Sequence, residues 1–93
     1  MGWQVYIIVC TDNSLYTGIT TDVERRFSEH AAGTLGARYF RGRTPNKVVY
    51  LESVQNRSTA SRREAVIKKL PRAAKLRLID SAANELTASG FRN

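Results

Sequence analysis

The chain has 93 residues, 42% of them hydrophobic and 25% charged, with 15 Lys and Arg against 8 Asp and Glu, for a net charge of +7. Those figures predict one small globular domain with no second folded unit, burying only roughly 60–65% of the surface its unfolded chain exposes and leaving little room for an enclosed substrate pocket. Chemistry is therefore expected on an open face, and the charge excess points to a polyanionic partner, nucleic acid first. Eleven of the basic residues are Arg, whose planar fork suits bidentate contact with phosphate. The single cysteine, Cys10, excludes an internal disulfide; lying in an apolar run, it is expected to pack as a small hydrophobe in a reducing compartment. The longest apolar run, residues 5–10, is far below the roughly 20 residues of a membrane span, and no signal-peptide pattern opens the chain. A cytoplasmic protein without a membrane partner is expected.

In chain order, residues 3–10 and 14–20 are rich in β-branched and aromatic types and flank the turn formers Thr11, Asp12 and Asn13, which predicts a β-hairpin. A helix over about 22–32 follows, with Thr21 and Glu24 spaced as a capping box, Val23 and Phe27 as an apolar i, i+4 pair, and Gly33 as a stop. Residues 33–46 hold three glycines and a proline and read as a loop or short helix, with Tyr39 and Phe40 as anchors. A third strand is expected over 47–54. A helix over about 58–70 should bury Ala60, Ile67 and Leu70; Pro71 interrupts it, and a last helix over about 72–84 should bury Ala74, Leu78 and Ile79. Residues 1–84 form the expected domain, and 85–93 a frayed tail. The order ββαβαα predicts an α/β fold, a small three-stranded antiparallel sheet flanked by helices.

The positive charge is uneven. Residues 1–29 carry a net −2, residues 30–51 carry +4 through Arg38, Arg41, Arg43 and Lys47, and residues 57–77 carry +7, with eight cations and one acid, Glu64. On the 3.6-residue period Glu64 falls between Ala60 and Ile67, on the inward stripe. An acid at the core edge among cations suits a Mg²⁺ ligand, since that ion takes one or two carboxylates plus waters and substrate phosphates; it equally suits a helix salt bridge with Lys68 at i+4.

Tyr6 and Tyr16 share a sheet face only if the hairpin register is even, as when a three-residue loop sets Tyr6 opposite Gly18; a two-residue turn would separate them. Gly18 would then leave a gap where a backbone or ligand approaches. Arg26 and His30, at i and i+4, project from one face of the first helix. Arg26 reads either as a site residue reaching the sheet or as a surface arginine. His30, in the last turn, reads as a site residue or as a cap whose charged form the helix dipole favours.

Together these residues resemble the GIY-YIG nuclease family. Val5-Tyr6-Ile7 stands at the GIY element and Tyr16-Thr17-Gly18 at the YIG element, with the usual ten-residue separation. Arg26 stands at the family's helix arginine, His30 at a histidine found in many members, and Glu64 at the metal-binding glutamate. The stretch Gly36-Ala37-Arg38-Tyr39 and the run Arg62 to Glu64 resemble the compact stand-alone YhbQ-like branch. The first element lacks its leading glycine, Thr17 replaces an aliphatic residue, Ile19 stands where many members carry a lysine, and only Asn84 offers a match to a late asparagine of some homing-type members.

The resemblance implies a divalent-metal-dependent endonuclease that hydrolyses phosphodiester bonds, with Tyr6, Tyr16, Arg26, His30 and Glu64 as catalytic residues and one Mg²⁺ or Mn²⁺ on Glu64. Tyr6 or Tyr16 would orient or deprotonate the water, its phenolate stabilised by Arg26 and the metal, with His30 as a relay. Gly18, Arg38, Tyr39, Arg41, Arg43, Lys47, Arg62 and Arg63 would meet the nucleic acid, DNA in preference to RNA. Phosphate contacts give affinity with little sequence choice, so a structure- or damage-directed monomer or weak dimer is expected, with a protein partner as a further means of targeting. The competing reading is a DNA- or RNA-binding module of the same fold with little or no catalysis.

Overall fold

The computed structural model describes residues 2–33 and 43–93. The hairpin forms from β1 (Trp3–Cys10) and β2 (Leu15–Thr20), with Tyr6 paired to Gly18 and Val9 to Leu15. The three-residue loop therefore holds. Its last residue, Asn13, takes φ 69°, a left-handed conformation that Asn tolerates and that three-residue hairpin loops require. Asp12 braces the loop by accepting from the Ser14 amide at 3.0 Å.

Helix α1 (Val23–Ala32) starts at Asp22 rather than at the Thr21–Glu24 box, because the Asp22 carboxylate accepts from the Arg25 amide at 3.1 Å. It stops at Gly33, at φ 73°. Strand β3 begins two residues early, at Pro45, and runs to Val54; proline is tolerated at the first position of an edge strand. Helix α2 (Arg57–Lys68) is capped by Asn56, which accepts from the Thr59 amide at 2.9 Å. Helix α3 (Arg72–Ile79) ends five residues short of the expected Asn84. A short α4 (Leu86–Ser89) follows in the tail.

The sheet is antiparallel with order β2-β1-β3. Alternation along β1 sends Val5 and Ile7 to one face, where they pack with Tyr50, with Ala60 and Ile67 of α2 and with Leu78 and Ile79 of α3. Tyr6 and Ile8 point to the other face, against Val23 and Phe27 of α1, Leu86 of α4 and Phe91. The fold is thus helices on both faces of a three-stranded sheet, and Cys10 lies buried in it as expected. No helix among the described residues is long and apolar enough to cross a membrane.

The tail departs from the expectation of fraying. Phe91 meets Phe27 edge-on at 6.3 Å between ring centroids, and Asn84 and Asn93 bond to the backbone of β3. Two aromatic rings and two side-chain amides hold a segment whose own composition carries no strong periodic signal.

Candidate active site

The even register puts Tyr6, Tyr16 and Gly18 on the face that α1 covers. Gly18 does not leave a gap there. A Cβ at this position would stand 2.5 Å from the Tyr6 hydroxyl and 2.6 Å from its Cζ, so the Tyr6 ring occupies the space, and Gly18, itself buried, admits that ring.

The Tyr6 hydroxyl lies 3.1 Å from His30 Nε2. His30 stacks edge-on against Tyr16 at 5.4 Å between centroids, and the two tyrosine rings are 6.2 Å apart. His30 is therefore buried against both tyrosines rather than exposed at the helix end. Burial, then the Arg26 charge, push its pKa below the ordinary value despite Glu29, so it is neutral at pH 7, against the charged form that the helix dipole suggests.

Tyr6 also differs from the phenolate expectation. Burial raises its pKa well above the ordinary 10, and the neighbouring Tyr16 and Glu64 add to the effect while Arg26 opposes it. The hydroxyl thus keeps its proton in the protein alone.

Arg26 is the cation that both groups feel. Its Nε is buried without a hydrogen-bond partner among the described residues, and the closest ion-pair oxygen is on Glu29 at 4.0 Å. A guanidinium N–H held this way can donate to an oxygen anion.

Glu64, on α2, is largely screened from solvent and meets Lys68 Nζ at 3.3 Å, so the helix salt bridge is present; its charge also reaches Tyr6. The salt-bridge reading of this residue is the one observed. Among the described residues no group of three His, Cys, Asp or Glu converges on a point. A single carboxylate fits an ion of the Mg²⁺ type as one ligand, since that ion keeps several waters and takes substrate phosphates as its other ligands.

Arg38, Tyr39 and Arg41, with Gly36, Ala37 and Phe40, lie outside the described residues. Arg62 and Lys47 are exposed, as a phosphate contact needs. Arg43 is also exposed, in an ion pair with Asp12 at 3.3 Å. Arg63 is partly engaged: its Nε donates to both carboxylate oxygens of Glu52, at 3.0 and 3.1 Å, while the Tyr50 hydroxyl donates to the same carboxylate at 2.5 Å. This network ties α2 to β3, and sequence reasoning missed it, although Glu52 is the lone acid between Glu29 and Glu64. Ile19 packs into the core under α2 and α3, on the face away from Tyr6. Asn84 sits on the outer edge of β3, across the sheet from Tyr16.

A small antiparallel sheet that presents paired tyrosines, a helix arginine and histidine, and a glutamate from the next helix defines a nuclease-type domain. The family model "GIY-YIG catalytic domain" matches residues 2–77, and the chain belongs to the GIY-YIG family, in its UPF0213 branch. It is 45% identical over 89 residues to the UPF0213 protein DP2720 of Desulfotalea psychrophila, covering 96% of this chain and 81% of the relative. It is 53% identical over 75 residues to the UPF0213 protein NP_0776A of Natronomonas pharaonis, covering 81% and 87%. Among solved structures, that of the UPF0213 protein BH0048 from Bacillus halodurans is 39% identical with a TM-score of 0.57, covering 97% of this chain and 95% of that one. That of the protein EF2693 from E. faecalis is 32% identical with a TM-score of 0.59, covering 100% and 93%.

Proposed function

We propose that the protein is a divalent-metal-dependent endonuclease that hydrolyses phosphodiester bonds in nucleic acid, DNA in preference to RNA, choosing its target by structure or damage rather than by sequence. The observation that carries this reading is the Tyr6 hydroxyl at 3.1 Å from a neutral His30, beside the unengaged Nε of Arg26.

Hydrolysis needs a positioned water, a place for its proton, and stabilisation of charge on the phosphate. The Tyr6 oxygen takes the proton from the water as its own hydroxyl proton passes to His30 Nε2, in the tautomer that leaves Nε2 unprotonated. A proton-bearing Tyr6 is no obstacle to such a relay, whereas a lone tyrosine base would need its phenolate. Arg26 donates to a non-bridging phosphate oxygen and so gains the partner its Nε lacks. Glu64 would hold one Mg²⁺ or Mn²⁺, which when bound supplies charge neutralisation at the leaving oxygen. Arg62, Lys47 and the other exposed cations of α2 and α3 would contact phosphates, giving affinity without much sequence choice.

The test is incubation of the protein with nicked, branched, single-stranded and duplex DNA in Mg²⁺ or Mn²⁺, beside Arg26→Ala and Glu64→Ala. Cleavage of some of these substrates that is lost in both variants supports the reading. Binding without cleavage by the wild type would establish the alternative of a non-catalytic nucleic-acid-binding module.

A further inference from the structure

The order β2-β1-β3 makes β3 an edge strand among the described residues, and an edge strand presents unpaired N–H and C=O groups to any other strand that can add. Here the described edge groups are met by the tail, with side chains doing what a fourth strand would do. The Asn93 amide both accepts from Val48 N at 2.8 Å and donates to Val48 O at 3.0 Å. The Asn84 amide accepts from Leu51 N at 3.2 Å and donates to Val49 O at 2.8 Å. Between them, Glu85 N donates to Leu51 O at 2.7 Å, and its carboxylate accepts from Ser53 N at 3.2 Å.

The segment is also fastened away from the strand edge. Asn84 also donates to Ile79 O at 2.8 Å and accepts from Leu86 N at 3.0 Å, and Leu86 and Phe91 pack into the core with Phe27. All of it lies beyond the residues that the family model matches.

The strand beneath is well suited to pair. Val48, Val49, Tyr50 and Leu51 are uncharged residues of high β propensity. They are flanked by Lys47 on one side and Glu52 on the other, so antiparallel pairing of two identical strands brings ends of opposite charge together, whereas a parallel pair would bring like charges together. Identical edges that meet antiparallel form a closed twofold contact.

We propose that the outer edge of β3 is a strand-addition site for a second copy of the chain, held closed by the segment from Asn84 to Asn93. This does not depend on the nuclease reading, since neither the edge nor the tail contains a residue of the Tyr6–His30–Arg26 cluster.

The experiment compares the wild type with Asn84→Ala/Asn93→Ala, by light scattering on a sizing column over a range of concentrations and by amide hydrogen exchange. The wild type is expected to be a monomer with protected Val48 and Leu51 amides. The double variant is expected to exchange those amides at least about tenfold faster when dilute, and to form a dimer in which protection returns when concentrated. Ser53→Pro, added to the double variant, removes an outward donor without touching the β1 ladder and should restore the monomer. If the double variant loses its fold, Asn93→Ala alone decides, and faster exchange at Val48 with a dimer at high concentration supports the proposal. A folded variant that stays monomeric, unchanged exchange at Val48, or a dimer that survives Ser53→Pro would overturn it.

Discussion

The ring of Tyr6 lies across the backbone of Gly18, its antiparallel partner, so closely that a single added methyl group would collide with the hydroxyl. That contact limits where the hydroxyl can meet His30. Gly18→Ala is expected to push the ring aside, at about 1–3 kcal/mol of stability, and to reduce cleavage by about 10²-fold, the effect of a displacement near 1 Å at a reacting group. Thermal unfolding and cleavage rates on one substrate check both numbers. An alanine variant with wild-type rates would show that the hydroxyl position does not matter.

Arg26 should separate activity from stability. Its Nε has no hydrogen bond to lose, so Arg26→Ala is expected to change stability by no more than about 0.5 kcal/mol. Loss of a donor aimed at developing charge costs about 10²–10³ in rate. Lysine should not restore the rate, because a point charge does not place a donor at the Nε position. Denaturant unfolding and single-turnover kinetics measure the two effects.

The acid limb of the pH profile should belong to His30. Its pKa in the folded protein lies below the ordinary 6.5, so the neutral acceptor persists somewhat below pH 6.5 and is lost as pH falls through the depressed value. Stability follows the same direction, since the unfolded chain takes up the proton first. His30→Ala should remove this limb and lower the rate by about 10²–10⁴, as read from rates between pH 4.5 and 8.

The Tyr50–Glu52–Arg63 network predicts alkaline sensitivity. Burial and then the hydrogen bond to Glu52 push the Tyr50 hydroxyl up to about 12 from its ordinary 10. The folded state therefore holds this proton more tightly than the unfolded chain, and the contribution is present below pH 10 and lost as pH rises through 12. Arg63→Ala leaves the Glu52 carboxylate half-buried with one partner fewer and should cost about 1–3 kcal/mol. Urea unfolding at pH 7 and pH 11 tests both statements.

Local chemistry made much of the fold legible. Three turn formers between two β-rich runs define the hairpin, Gly33 ends α1, and alternation along β1 assigns the two core faces. The candidate cluster was legible in part for the same reason: the spacings of Tyr6 and Tyr16 and of Arg26 and His30 are ones that the strand and helix periods convert into shared faces. Boundaries were less so where two caps compete, as at Thr21 and Asp22, because propensity does not say which side chain reaches the free amide.

What only the tertiary structure decided are the properties that depend on neighbours distant in sequence. The protonation of His30 and Tyr6 is set by burial, which overrides the helix dipole and the nearby arginine. The space above Gly18 is filled by a ring from the opposite strand, and Arg63 is diverted from solvent by Glu52 eleven residues away. The tail is ordered by Phe27 and by the open edge of β3, neither of which its own residues reveal. Composition and periodicity specify what each segment can become; desolvation and long-range hydrogen bonding, which exist only once the chain has closed on itself, specify which groups remain free to react.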